Sequence, residues 1–312
     1  MPEQQQLTET DVTVDVAGDE VVGTRVEARG GELQSDAGRP CVVMAHGFGG
    51  TVDAGLLPFA RRLAAAGLEV IAFDYRHFGR SGGEPRQVLS IERQLEDYRA
   101  VVDHARTLDG VDGDRIVLWG VSYSGGHVLR VAEQDGRIAA VVSLIPAVDG
   151  RAVARAARGD VDPRHLAKLL RAAARDRLAQ RRGRPRVELP LCSLPGRYGA
   201  MTAPGVFEAY TSIAGPTWRN RVAASILLDY ASYRPVTSAG RFDAPLLLQI
   251  ADYDRAAPPS AAAAAAKGRA EVRHYPCDHF DVFAGFPWHE PVCEDQVRFL
   301  KRHLAVEAAS AA

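Results

Sequence analysis

One short stretch constrains the fold of this chain more than any other. Residues 119–126 read Trp-Gly-Val-Ser-Tyr-Ser-Gly-Gly; they follow an apolar, strand-like run and lead into a helix-like pattern. A serine on a sharp strand-to-helix turn has a strained backbone, so the residues two before and two after it must be small. Gly120 and Ser124 meet that requirement around Ser122. The stretch therefore predicts a nucleophile elbow with Ser122 as the nucleophile.

The same stretch allows two other interpretations. Ser124 also stands between small residues, Ser122 and Gly126, and is the alternative nucleophile. Glycine and serine also mark ordinary turns, so the motif alone does not decide between catalysis and a simple turn. We favour Ser122, because the turn at Gly120 places it directly at the end of the strand.

A second apolar run, residues 42–45, leads into the glycine-rich loop His-Gly-Phe-Gly-Gly-Thr. Such a loop can direct backbone N–H groups at a developing oxyanion, for which two donors are normally needed. We expect these donors to be the amides of Phe48 and Tyr123. His46 is expected to brace the loop rather than act as a base. A phosphate-binding loop is excluded, because the Lys-Ser/Thr ending and the G-x-G-x-x-G spacing are both missing.

An acidic residue belongs just after a late strand, where a carboxylate can orient a histidine. Residues 246–250 form such a strand-like run, and Asp252 and Asp254 follow it. Asp254 is the preferred acid, because it lies in the turn that begins the next predicted helix. Asp252 is the reserve, and Asp149, after the preceding strand, is a weaker alternative.

The predicted base is His279, which lies in a loop between a short strand and the last helix. His274 falls within that strand and His289 opens the helix, so both are poorer candidates. The chain order Ser122, Asp254, His279 is the order that α/β-hydrolases use, whereas other triad folds use different orders.

With these motifs in place, the chain resembles an α/β-hydrolase along nearly its whole length. Residues 72–83, Ala-Phe-Asp-Tyr-Arg-His-Phe-Gly-Arg-Ser-Gly-Gly, resemble that family's run after the fourth strand, with His77 in place of a glycine. The elbow is similar to that of the cocaine esterase and X-prolyl dipeptidyl peptidase branch. Residues 279–283 resemble bacterial hydrolases related to fungal polyketide transferases. The resemblance implies cleavage of a carboxylic ester or thioester through an acyl-serine, or acyl transfer from that intermediate, without metal or organic cofactor. A non-catalytic binding protein is the third possibility.

Helix-like patterns alternate with strand-like runs, which lie at residues 42–45, 69–73, 116–118, 139–144, 246–250 and 271–275. This alternation indicates a mostly parallel, doubly wound α/β sheet. Residues 11–16 and 21–28 predict an antiparallel hairpin before it. About 100 residues separate the strands that end at Leu144 and begin at Leu246, too many for an ordinary connection. We therefore expect a helical cap over residues 149–235, inserted between two core parts, residues 1–148 and 236–312.

The cap is expected to roof the catalytic cleft. Apolar residues recur at helical spacing between positions 166 and 178, followed by a Pro/Gly-rich break. Its aromatic and sulfur side chains either line the acyl pocket or form the cap's own core; they are Tyr198, Met201, Phe207, Tyr210 and Trp218.

Composition narrows the setting and the partners. The net charge is −1, and no apolar run approaches the ~20 residues that cross a bilayer, so we expect neither nucleic-acid nor membrane partners. The first six residues lack signal-peptide features, and the four cysteines form no C-x-x-C pair. These features predict a cytoplasmic protein with reduced thiols and no metal site.

One segment departs from this charge balance. Residues 151–186 carry twelve Lys/Arg and three Asp. They form either a solvated helix face, the simpler interpretation, or a receptor for the phosphates of coenzyme A or for an acidic acyl-carrier protein.

Overall fold

The computed structural model describes residues 7–160 and 162–305, with the backbone alone for residues 157–160. Its centre is an eight-stranded sheet in the order β1-β2-β4-β3-β5-β6-β9-β10. The strands are β1 (Glu9–Val16), β2 (Asp19–Val26), β3 (Arg39–Ala45), β4 (Glu69–Phe73), β5 (Val111–Val121), β6 (Ile138–Leu144), β9 (Leu246–Ala251) and β10 (Ala270–Tyr275). A separate pair consists of β7 (Glu188–Leu189) and β8 (Val222–Ala223).

Strands β3 to β6, β9 and β10 run parallel, whereas the hairpin of β1 and β2 joins the sheet antiparallel through β4. The central strands are buried on both faces, as their continuous Val, Ile and Leu runs require. The helices are α1 (Leu57–Ala65), α2 (Ile91–Ala105), α3 (Tyr123–Gln134), α4 (Gly150–Asp160), α5 (Pro163–Arg181), α6 (Val206–Ser212), α7 (Ile226–Tyr230), α8 (Pro259–Ala263) and α9 (His289–Leu304). Helix α1 packs against α9, and α2 packs against α3. The predicted fold class, a mostly parallel α/β sheet with an N-terminal hairpin, is confirmed.

The segment between β6 and β9 contains α4, α5, β7, α6, β8 and α7. We keep the name cap segment for residues 149–235. Helix α5 begins at Pro163, with the Asp162 side chain accepting from the Arg164 N–H at 2.8 Å, and it packs against α7. A buried ion pair between Arg186 and Asp176 joins the end of α5 to the strand that follows it.

All four cysteines are buried free thiols. Over residues 7–160 and 162–305, no helix has the length and apolar character needed to cross a membrane. Within the same ranges, no three His, Cys, Asp or Glu side chains are grouped as metal ligands. The predictions made for the first six residues, and the ends of the two core parts at residues 1–6 and 306–312, lie outside the described residues.

Candidate active site

Ser122 occupies the turn between β5 and α3 with φ 55° and ψ −112°, a conformation that non-glycine residues rarely adopt. The turn is tight enough to exclude any side chain at Gly120, where an added Cβ would lie 2.1 Å from the carbonyl oxygen of Ser124. The strained serine and the glycine two residues earlier thus produce the geometry that the elbow motif requires.

Ser124, the alternative nucleophile, lies fully buried behind the turn. Its hydroxyl donates to the backbone carbonyl of His46, and the Tyr75 hydroxyl lies 2.7 Å from it. Because the single Ser124 proton is used on His46, Tyr75 is the donor in the second bond. Ser124 therefore ties the elbow to the glycine-rich loop and is not presented to the cavity.

The glycine-rich loop lies directly against the elbow. An added Cβ at Gly47 would be 3.1 Å from the Cβ of Ser122, so the two backbones approach closely. Phe48 and Tyr123, the predicted amide donors, both line the same cavity, and their rings meet edge to face at 5.6 Å. From the cap segment, the Tyr210 hydroxyl donates to the Phe48 carbonyl at 2.8 Å.

His279 and Asp254 form a buried pair. The Nδ1 atom of His279 lies 2.6 Å from Oδ2 of Asp254, and both side chains are at least nine-tenths buried. The other oxygen of Asp254 accepts from the backbone N–H groups of Ala256 at 2.8 Å and Ala257 at 2.6 Å. Because a carboxylate only accepts hydrogen bonds, the proton stays on Nδ1 and Nε2 is left as the basic nitrogen.

The loop that carries His279 is rigid for a local reason. It opens a short 3-10 helix, His279–Val282, whose N-terminus is capped reciprocally by Asp278 and Asp281. Arg255, next to the acid, donates to the Asp278 carboxylate at 2.7 Å. These contacts join the loop that carries Asp254 to the loop that carries His279.

The other acids and bases weighed from sequence lie elsewhere. Asp252 pairs with His274 at 2.7 Å on a half-exposed surface, and Asp149 pairs with Arg234 at 3.0 Å. His289 directs Nδ1 at a backbone carbonyl 3.1 Å away. The structure thus pairs Asp254 with His279, whereas Asp252 pairs with His274 and Asp149 pairs with Arg234.

A cavity of about 270 Å³ contains Ser122 and His279 in its wall and reaches the inner side of α4 and α5. Of the five cap residues considered from sequence, Met201 and Tyr210 line it. Tyr198, Phe207 and Trp218 are not among the described residues that line the cavity; each is partly buried against the hydrophobic core.

Several residues that line the cavity were not predicted from the sequence. Tyr230 comes from α7 and its ring lies 5.9 Å from that of Phe48, while Phe280 and Phe283 follow the base. Leu166, Leu169 and Leu170 were recognised only as a helical repeat. Their spacing marks an apolar face, but the placement of α5 decides that this face meets the cavity.

Burial keeps the titratable side chains behind Ser122 in their neutral form. Burial lowers the pKa of His127 to about 3, and its ring bonds the Tyr233 hydroxyl at 2.6 Å and the Gln94 side-chain oxygen at 3.0 Å. Burial also lowers the pKa of His46, although Asp74 opposes that shift. The pKa of Cys277 is raised to about 12, chiefly by desolvation, so this thiol is inert near the base.

Comparison with known proteins provides a further line of evidence. Residues 36–295 match the family described as serine aminopeptidase, S33. The chain belongs to this family. A quorum-quenching protein, AidA of Acinetobacter baumannii, is 38% identical over 277 residues, covering 88% of this chain and 90% of AidA. These matches extend over both core parts and the cap segment.

Shorter matches connect the chain to two fungal enzymes. Thiohydrolase aneE of Aspergillus aculeatus is 36% identical over 125 residues, covering 40% of this chain and 39% of aneE. Acyltransferase drtE of Aspergillus calidoustus is 32% identical over 107 residues, covering 34% of this chain and 35% of drtE. The likeness to the cocaine esterase and X-prolyl branch stays a prediction.

The fold itself is that of an α/β-hydrolase. The crystal structure of the α/β hydrolase GrgF from Penicillium sp. sh18 superposes with a TM-score of 0.77 and covers 96% of this chain and 99% of GrgF. Its sequence identity is 22%, so it supports the fold alone.

Proposed function

We propose that this protein is a serine hydrolase that cleaves a carboxylic ester or thioester through an acyl-serine intermediate. The observation that carries the proposal is the buried His279–Asp254 pair, because His279 lines the same cavity as the strained Ser122. A plain turn needs neither a strained serine nor a buried histidine–aspartate pair beside one mainly apolar cavity.

In the first half-reaction, Nε2 of His279 takes the proton of Ser122 as its Oγ attacks the acyl carbonyl carbon. Asp254 holds the imidazole tautomer and stabilises the imidazolium ion that forms. The carbonyl oxygen becomes an oxyanion, which the amides of Phe48 and Tyr123 receive. Each such donor contributes on the order of 3 kcal/mol.

Collapse of the tetrahedral intermediate breaks the bond to the leaving group, which takes the proton from His279. Water then attacks the acyl-serine with His279 again as the base, and the second collapse releases the acid and regenerates the Ser122 hydroxyl. Each proton taken by the imidazole is returned within its half-reaction, so the cycle balances with water as the only second substrate.

The cavity supports an apolar acyl group as the bound portion. Its walls are mainly aliphatic and aromatic, with Leu166, Leu169 and Phe283 beyond the catalytic end. AidA is named a quorum-quenching protein. With this site, such an activity in the present chain means cleavage of an acylated signal molecule.

Acyl transfer is the second candidate, supported by the cap over the cavity and by the match to acyltransferase drtE. If the cap excludes water and admits an alcohol or amine, the same acyl-serine yields a transferred acyl group. A non-catalytic binding protein is less well supported, because Ser122 and His279 line one cavity and Asp254 pairs with His279.

The test is steady-state hydrolysis of nitrophenyl butyrate and of a butyryl thioester by the wild type, Ser122→Ala and Ser124→Ala. We expect Ser122→Ala to lose at least about 10³-fold in kcat, because a triad nucleophile is removed. Ser124→Ala should retain a measurable rate. Full activity of Ser122→Ala would overturn the proposal, and loss in Ser124→Ala alone would move the nucleophile to Ser124.

Hydrolysis and transfer are separated by offering an alcohol acceptor and quantifying acid and ester products. Hydrolysis predicts free acid as the main product at every acceptor concentration. A product that is almost entirely the new ester, with no release of acid, contradicts simple hydrolysis and supports the transferase.

A further inference from the structure

The exposed large apolar side chains of the described residues are concentrated on one part of the molecule. Four of the five lie in the cap segment, and the fifth, Tyr253, is next to the predicted acid; the cap residues are Leu170, Leu178, Leu194 and Leu228. Because parallel strands end at one edge of the sheet, Tyr253 belongs to the same edge as the active site. Exposure of large apolar side chains among the described residues is thus confined to the cap segment and to Tyr253 at the active-site edge, a pattern typical of a contact surface.

Residues 151–186 of the cap segment, which include α5, carry an excess of positive charge. Of the twelve basic residues between positions 151 and 186, Arg177 and Arg186 are ion-paired, and Lys168 lies 4.3 Å over the Tyr198 ring. The Arg158 side chain lies outside the described residues. The other eight form no ion pair with a described residue; they are Arg151, Arg155, Arg164, Arg171, Arg175, Arg181, Arg182 and Arg184.

On α5 the two kinds of side chain form adjacent stripes. Leu170, Ala174 and Leu178 follow each other at a spacing of four residues and are exposed, and Arg171 and Arg175 repeat that spacing one residue further on. The helix has 19 residues and is therefore about 28 Å long at 1.5 Å per residue. The positive field extends over a length much greater than one phosphate group.

This surface adjoins the cavity. Leu170 lines the cavity and is also 47% exposed, so its side chain belongs both to the wall around the acyl site and to the outer stripe. A partner seated on α5 would hold its acyl group one side chain away from the cavity.

We propose that the exposed face of α5 docks an acidic acyl-carrier protein, which presents the acyl group to Ser122 as a thioester. The inference rests on the proposed function and names the partner that delivers its substrate. Arginines around a small apolar centre are the composition of a protein interface. A membrane surface fits less well, because membrane binding of a helix scales with the apolar area it can bury, and α5 exposes only two large apolar side chains, Leu170 and Leu178. Coenzyme A alone would cover only a small part of the arginine stripe.

The experiment compares three octanoyl thioesters that differ in their carrier: N-acetylcysteamine, which is neutral, coenzyme A, and an acidic acyl-carrier protein. We expect kcat/KM for the carrier-protein thioester to exceed that for the neutral thioester by at least about tenfold at low salt. The advantage should shrink as salt is added, because exposed charges are screened.

The variant Arg171→Glu/Arg175→Glu should abolish this advantage and leave kcat/KM for the neutral thioester within about twofold, since neither arginine lines the cavity. The matched control is Arg137→Glu/Arg269→Glu. These exposed arginines precede β6 and β10, at the opposite edge of the sheet, and the control should retain the full advantage.

Equal kcat/KM for the carrier-protein and neutral thioesters overturns the docking proposal, as does an equal and arginine-dependent gain with coenzyme A. A gain that requires anionic phosphatidylglycerol vesicles instead of the carrier protein also overturns it, in favour of a membrane. Binding of labelled carrier protein to Ser122→Ala can be measured by fluorescence anisotropy, because this measurement does not require catalysis. Failure of the proposed function would appear separately, as loss of all Ser122-dependent cleavage of the neutral thioester.

Discussion

The bond between Tyr210 and the glycine-rich loop allows a sharp test of whether the cap segment takes part in the proposed catalysis. Tyr210 is buried; its hydroxyl donates to the Phe48 carbonyl at 2.8 Å, and its ring contacts that of Phe280, next to the base, at 5.3 Å. This contact fixes the peptide unit that follows Phe48, and the proposed oxyanion donor, the Phe48 N–H, belongs to the adjacent unit on the other side of the same Cα. The substitution Tyr210→Phe removes the hydroxyl and keeps the ring.

The expected loss of rate follows from the free-energy cost of leaving the Phe48 carbonyl without its hydrogen-bond donor. A neutral hydrogen bond contributes about 1 kcal/mol net, and a buried carbonyl left without a partner costs about 1–3 kcal/mol. If about 1.4 kcal/mol of this is lost in the transition state alone, kcat falls about tenfold. KM should change by less than about twofold, because the hydroxyl positions the loop and the ring still lines the cavity.

The assay is steady-state hydrolysis of nitrophenyl butyrate, with the melting temperature measured on the same samples. Tyr233→Phe is the matched control, since its hydroxyl bonds His127 and not the loop. A Tyr210→Phe variant with unchanged kcat and a lowered melting temperature would show a purely structural role. A rise in KM at constant kcat would show that the hydroxyl binds substrate instead.

Three further outcomes follow from the same region. Ser124→Ala should lower the free energy of unfolding by about 1–3 kcal/mol in urea titrations, because it leaves a buried carbonyl unpaired, while Ser122 remains reactive toward a fluorophosphonate probe; an unchanged urea midpoint would refute the role of this tether. Gly120→Ala should fail to give a folded protein by circular dichroism, whereas Gly136→Ala, whose added Cβ meets nothing within 4 Å, should melt like the wild type; a normally folded Gly120→Ala would contradict the elbow geometry. His127 is held neutral in the folded state, with its pKa at about 3, but titrates near 6.5 when unfolded. At pH values between these two, the unfolded chain therefore binds one proton more than the folded chain. The free energy of unfolding falls by about 2 kcal/mol as the pH is lowered from pH 7 to pH 5. His127→Gln should flatten that part of the urea-measured pH profile, and an identical profile would show that another group is responsible.

The fold could be predicted from sequence where burial leaves no choice of residue. The continuous apolar runs of β4, β6 and β9 match their predicted positions to within a residue or two. Strand β5 begins at Val111, five residues earlier than predicted, because its first half, Val-Asp-Gly-Asp-Arg, is partly exposed and polar. The alanine run after Asp254 forms only the short helix α8, which ends at Ala263. Helix propensity alone does not determine the length of such a short helix.

The site could be predicted only as far as chain order and spacing specify it. The order of the serine, acid and histidine loops indicated which strand ends meet. It could not distinguish Asp252 from Asp254, because the two aspartates lie only two residues apart in the same loop. Their side chains point in different directions, one to His279 and the other to His274. The contacts of Tyr210 and Tyr230 with the loop cross about 160 to 180 residues of sequence, and no local pattern reports such a contact.

The central claim is that Ser122 carries the acyl group during turnover, and rapid acid quenching tests it most directly. The enzyme is mixed with nitrophenyl butyrate, quenched within the first turnover, digested, and analysed by mass spectrometry over the peptide that contains residues 119–126. The account predicts a butyryl mass on Ser122 in the wild type and none in Ser122→Ala or His279→Ala. An acyl group on Ser124, or full turnover by Ser122→Ala without any acylated peptide, would contradict it.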